Sequence, residues 1–168
     1  MNEFDREFAE AILRHRLVGA QIGGIRFGPI LQLLIDDHRT DGRPQPEYGG
    51  QIYVNLGARW TVFPSRPDLY PERQEDIAPL SEDEQLVLLC RLREKVICAV
   101  DIGKRHPDLM FTFDDGQIFF VSGNDDLYEP WDVGVALSHV PSPWLIAAMP
   151  SGGLAVWTPD GFVRPSET

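Results

Sequence analysis

Leu17-Val18-Gly19-Ala20-Gln21-Ile22-Gly23-Gly24-Ile25-Arg26-Phe27-Gly28 can be laid on Leu92-Arg93-Glu94-Lys95-Val96-Ile97-Cys98-Ala99-Val100-Asp101-Ile102-Gly103. A leucine, an isoleucine and a glycine recur at the same offset, and Ile25/Val100 and Phe27/Ile102 keep their apolar character. Leu31 through Asp36-Asp37 then matches Leu109 through Asp114-Asp115. Gly50-Gln51-Ile52-Tyr53-Val54 matches Gly116-Gln117-Ile118-Phe119-Phe120, and each run leads to a tryptophan, Trp60 or Trp131. The spacers differ in length, as surface connections tolerate. The sequence therefore predicts two degraded copies of one strand-rich unit, over about 3–63 and 81–137. A C-terminal hairpin over about 142–158 completes a single compact domain, 1–168.

Residues 3–16 have the spacing of an amphipathic helix, with Phe4, Phe8, Ile12 and Leu13 on one side. Strands follow at 18–27 and 30–36, joined at Gly28-Pro29, and then at 51–55 and 59–63. Gly23-Gly24 lies inside a strand pattern and marks a bulge. Asp36 through Gly50 is a polar loop. Residues 64–80, with four prolines, connect the two units. Ser81-Glu82-Asp83-Glu84 is a capping box, and Leu86, Leu89, Cys90 and Arg93 fit one face of the helix behind it. Strands are expected near 95–102, 108–114 and 117–122, with Asp115-Gly116 supplying a type I′ turn between the last two. Trp144–Met149 and Leu154–Trp157 flank Pro150-Ser151-Gly152-Gly153 as a hairpin turned by the glycine pair, with Trp144 and Trp157 placed to pair across it. The fold class is α+β: mainly antiparallel sheet with two helices. Ile22, Ile25, Leu31, Leu33 and Ile52 should share a layer with Ile97, Val100, Leu109, Phe111 and Ile118.

The 168 residues are 43% hydrophobic, enough to form a core. No stretch approaches the ~20 apolar residues of a membrane span, and the acidic N-terminus lacks the apolar run of a secretory signal. A cytoplasmic location is the expectation, with Cys90 and Cys98 as buried free thiols. The formal net charge of −11 disfavours nucleic acid and anionic membranes as partners. Charge is uneven: residues 1–105 hold 14 Lys/Arg against 17 Asp/Glu, and residues 106–168 hold one Arg against nine acids.

The densest polar-aromatic cluster is Asn124-Asp125-Asp126-Leu127-Tyr128-Glu129-Pro130-Trp131-Asp132, expected as a loop after a strand. Asp125, Asp126, Tyr128, Glu129 and Asp132 are the candidate partner-binding residues. Acids meet Lys and Arg of a partner, and Tyr supplies amphipathic contact area. Trp131 is assigned to the core, because its counterpart Trp60 recurs in the other unit. The stretch lacks the alternating acids, central glycine and late glutamate of an EF-hand, so no metal is expected. Asp114-Asp115 is explained by its turn, and Asp36-Asp37-His38 resembles a site by composition alone. His15, His38, His106 and His139 are scattered. No nucleophile elbow, zinc-protease, P-loop or dinucleotide motif occurs. Neither catalytic residues nor a cofactor are predicted.

Phe113-Asp114-Asp115-Gly116, Tyr128-Glu129-Pro130-Trp131 and Pro150-Ser151-Gly152-Gly153-Leu154-Ala155-Val156-Trp157 together resemble a family of uncharacterised small bacterial proteins with a Tyr-Glu-x-Trp element and a Pro-Gly-Gly-x-Leu-x-x-Trp hairpin. Here Ser151 interrupts the Pro-Gly-Gly run. The resemblance implies an immunity-type or accessory protein of a bacterial toxin system and transfers no catalytic residue. The expected function is non-enzymatic binding of a basic protein partner through the acidic C-terminal half. The alternatives are a small-molecule module or cryptic enzyme with a pocket between helices and sheet, and an oligomeric accessory protein.

Overall fold

The computed structural model describes residues 3–36, 51–136 and 144–158. Helix α1 spans Glu3–Leu17, and β1 (Gln21–Arg26), β2 (Leu31–Asp36), β3 (Gln51–Leu56) and β4 (Trp60–Phe63) follow. A 3-10 turn at Gln74–Asp76 precedes α2 (Glu82–Arg91). Then come β5 (Ile97–Ile102), β6 (Leu109–Phe113), β7 (Ile118–Val121), β8 (Trp131–Ala136), β9 (Leu145–Met149) and β10 (Gly153–Trp157). All ladders are antiparallel, so the α+β class holds. The strands form two sheets: β1-β2-β3-β8-β9-β10 and β4-β7-β6-β5.

The order has a simple rule. Each sheet begins with three consecutive strands, β1-β2-β3 or β5-β6-β7, and its fourth strand comes from the other half of the chain. Trp60 of β4 stands opposite Val121 of β7, and Trp131 of β8 opposite Leu56 of β3. The first strands meet at a bridge between Gln21 and Val96, which occupy matching positions in the sequence alignment. Matching hydrogen bonds surround it. The Ile22 amide donates to Lys95 O (3.2 Å) and the Ile97 amide to Ala20 O (2.9 Å). The Gly19 amide donates to Ile97 O and the Glu94 amide to Ile22 O, both at 2.8 Å. Gly19 and Glu94 share a left-handed backbone, with φ of 89° and 66°.

Both halves carry the same bulge. Ladder register shifts between Ile22 and Gly24, as the glycine pair predicts, and likewise between Ile97 and Ala99. A bulge adds one residue to a strand. It lets Ile22 and Ile25, and Ile97 and Val100, serve the same layer despite their odd spacing. Ile22, Ile97 and Val100 are buried and Ile25 packs against the buried cluster. That cluster draws on both sheets and both helices.

The third strands correct the alignment by one residue. Val54 opposes Leu33, but Phe119, not Phe120, opposes Phe111. Ile118 pairs with Thr112 and so lies on the face opposite Phe111. It is buried nevertheless, because the second face of this sheet is also covered: Tyr70 stacks on Phe120 with ring centres 5.4 Å apart, and Phe63 meets both rings. The proline-rich connection therefore acts as a lid over β7, whose four residues are all buried.

The turns also differ from expectation. Gly116 alone has positive φ (85°) in its hairpin, and its amide donates to Phe113 O (3.0 Å). That is a three-residue turn with a left-handed glycine instead of type I′. In the C-terminal hairpin Ser151 (φ 65°) and Gly152 (φ 87°) make the turn, while Gly153 begins β10. Trp144 is buried and Trp157 is half-exposed opposite Leu145, so the expected tryptophan pair does not form.

Ser81 caps α2 as predicted: Glu84 N donates to Ser81 Oγ (3.3 Å) and Ser81 N to Glu84 Oε2 (2.8 Å). The buried side of α2 is Leu89 with Leu92 behind it, not the face holding Cys90 and Arg93. Cys90 consequently points to solvent. Cys98 does so too, because it is the extra residue of the β5 bulge. The two thiols are exposed, contrary to the expectation of burial. The polar loop around Asp36–Gly50 falls, apart from Asp36, outside the described residues.

Candidate functional site

The candidate stretch divides in two. Gly123–Pro130 is an irregular connection, and a strand unforeseen in the sequence, β8, starts at Trp131. Asp125, Asp126, Tyr128 and Glu129 stay together on the connection, whereas Asp132 belongs to the sheet.

The connection is tied down from below. Asp125 Oδ1 accepts from the amides of Leu127 (2.8 Å) and Tyr128 (2.9 Å). Gln74 Nε2 donates to Asp125 Oδ2 (2.9 Å) and to Asn124 O (2.8 Å). The Ser151 amide donates to Asp125 O (2.9 Å), which fixes the C-terminal hairpin to the same residue. Partial burial works to raise the Asp125 carboxyl, but the two amides and Gln74 outweigh it and hold it below the ordinary carboxylate range. Asp125 is thus a framing residue. What it frames is an exposed tip: Leu127 (78% exposed) and Tyr128 (72%) between the acids Asp126 and Glu129. Gly57 underlies this tip, since a Cβ there would sit 2.5 Å from Glu129 O and 3.1 Å from Pro130 O.

Two neighbours fix the root. Trp131 is fully buried and its indole Nε1 donates to Pro107 O (2.6 Å). The core assignment of both Trp131 and Trp60 is correct. The adjacent Asp108 accepts from the Gly123 amide (2.7 Å). Burial pushes the Asp108 carboxyl up to about 6, against the lowering effect of that hydrogen bond. Sequence reasoning passed over Asp108. Its placement depends on Gly123 and Pro107 meeting across the sheet end, which no local pattern encodes.

Asp132 takes part in a polar row across the outer face of the larger sheet. Arg26 Nη1 donates to Gln32 Oε1 (3.2 Å), Gln32 Nε2 to Asn55 Oδ1 (2.7 Å), and Asn55 Nδ2 to Asp132 Oδ2 (2.7 Å). Burial raises the Asp132 carboxyl, opposed by Asn55 and Tyr53. Burial and the Asp132 charge push the Tyr53 hydroxyl up to about 12. Burial is the largest cause of both shifts.

Among the described residues no group of three His, Cys, Asp or Glu is placed to hold a metal ion. No described helix is long and apolar enough to cross a membrane. Three surface hollows of about 350, 300 and 340 Å3 all involve α2 or the segment leading into it. Comparison with known proteins gives no match: no family model fits the chain, and no curated protein or solved structure is significantly similar.

Proposed function

We propose that the protein binds a basic protein partner in the cytoplasm through the Asp125–Glu129 tip, acting as a toxin-neutralising protein of immunity type. The observation that carries the reading is the tip itself. Two large apolar side chains stand in solvent between two carboxylates, on a backbone held by Asp125, Gln74 and Ser151. A held loop loses little conformational freedom on binding. An aromatic anchor ringed by charge is how compact interfaces concentrate their energy. The acidic excess of residues 106–168 adds long-range attraction for a basic surface. Asp132, committed to Asn55 and Tyr53, supplies field and not contact.

The test is affinity capture from the native cell, quantified by mass spectrometry, with wild type and an Asp126→Lys/Glu129→Lys variant as baits. The reading requires a basic protein enriched on wild type and depleted on the variant. Equal capture by both baits would remove the tip from the interface.

A further inference from the structure

A sheet edge is a row of unpaired backbone groups, and proteins blunt it with bulges, charges, prolines or short strands. Of the four edge strands in the two sheets, three are blunted in this way. β1 carries the bulge between Ile22 and Gly24 and the charge of Arg26, and its first residue is bridged to Val96. β5 carries the matching bulge and Asp101, and α1 takes up its edge groups: Glu10 Oε2 accepts from the Ile102 amide (2.9 Å), and Arg14 Nε donates to Val100 O (2.8 Å). β4 is four residues long and runs into Pro64.

β10 has none of these features. Its five residues, Gly153-Leu154-Ala155-Val156-Trp157, hold no charge and no proline. They pair in unbroken register with β9 and with no other described strand. Leu154 and Val156 pack against the core but are not fully buried. Alternation therefore puts Gly153, Ala155 and Trp157 on the outer face. Trp157 is 51% exposed there, and a Cβ on Gly153 would meet nothing nearer than Met149 Cβ at 3.5 Å.

The strand is also its own complement. About a two-fold axis at Ala155, an antiparallel second β10 sets Leu154 opposite Val156 and Trp157 opposite Gly153, each pair occurring twice. Aliphatic meets aliphatic on the core side, and on the outer face each half-exposed indole covers an edge glycine. We propose that β10 pairs with β10 of a second copy, antiparallel about Ala155, so that the two larger sheets become one. An isologous contact requires a patch that matches itself, and this strand does. The inference is independent of the basic-partner reading, and salt separates the two. Copies of charge −11 repel, so added salt strengthens their pairing, whereas it weakens attraction to a basic partner.

Sedimentation velocity of the full chain across micromolar concentrations should show monomer and dimer in equilibrium, shifted towards dimer by salt. Ala155→Lys sets two like charges opposite each other at the axis, and Trp157→Ser uncovers Gly153. Each should weaken the dimer about tenfold with unchanged far-UV circular dichroism. Leu69→Ser, which removes an exposed leucine on another segment, should leave it unchanged. A second measurement reads the register without disturbing the strand. In a Cys90→Ser/Cys98→Ser background, which replaces two exposed thiols, Ala155→Cys should oxidise to a covalent dimer and Leu69→Cys should not. Wild type that stays monomeric throughout overturns the proposal. So does a dimer indifferent to Ala155→Lys and Trp157→Ser, or one that Leu69→Cys cross-links as readily as Ala155→Cys. A monomer that dimerises only when residues 159–168 are removed gives the edge to the chain's own end. A monomer whose captured partner is lost with Trp157→Ser gives the edge to that partner. Both results overturn pairing with a second copy.

Discussion

Replacing Asp108 with asparagine should change how stability depends on pH. The Asp108 carboxyl is partly buried at the root of the candidate tip, and burial pushes it up to about 6 from the ordinary 3.8. A carboxyl whose folded value is raised favours the folded state only when protonated. Its contribution is therefore complete below the unfolded value and is lost as pH rises through about 6. Linkage between these two values gives about 1.4 kcal/mol more stability at pH 5 than at pH 8 from this group alone. For a chain of this size that corresponds to about 3–6 °C in melting temperature. Asparagine keeps an oxygen for the Gly123 amide and removes the partly buried charge. The assay is thermal unfolding by circular dichroism across pH 5–8 for both proteins. The difference in melting temperature, Asp108→Asn minus wild type, should grow with pH by about that amount. Parallel curves for the two proteins would refute the argument.

Three further outcomes follow from packing and backbone geometry. Phe111→Ala and Ile97→Ala should each cost about 2–5 kcal/mol in urea unfolding, since both side chains are fully buried. Trp131→Phe leaves Pro107 O without its buried donor and should cost about 2–4 kcal/mol in the same assay. Glu94→Gly should raise stability by up to about 1 kcal/mol, because Glu94 holds a left-handed conformation (φ 66°) that Gly19 holds in the other half; a loss of stability would show that its side chain matters more than its backbone.

Period and punctuation made most of the fold legible. Helix α1, the capped start of α2 and nine of the ten strands follow from apolar spacing, Gly-Gly, Asp-Gly and the capping box. The halves agree in strand order, in bulge position and in the hydrogen bonds about Gln21 and Val96. Division into two sheets was not legible, because exchange of β4 and β8 between halves is a long-range event. The start of β8 was hidden by the polar residues around it, and Gly134 weakens its strand signal. The site was half legible. Composition located the Asp125–Glu129 cluster, but Asp125 turning inward to Leu127 and Tyr128, and Asp132 joining Asn55, depend on neighbours distant in sequence. The cysteines misled because Cys is usually buried, whereas a one-residue bulge turned Cys98 outward.

The central claim is that the exposed tip touches a basic partner, and a photo-cross-linking residue at position 128 tests it most directly. The control places the same residue at position 69, a still more exposed apolar site on a different segment. Irradiation in the native cell should join position 128, and not position 69, to one basic protein. Purified, that protein should associate with wild type at a rate that falls with added salt, and more slowly with Asp126→Lys/Glu129→Lys. Cross-linking from position 69 alone, or to an acidic protein at position 128, would contradict the account.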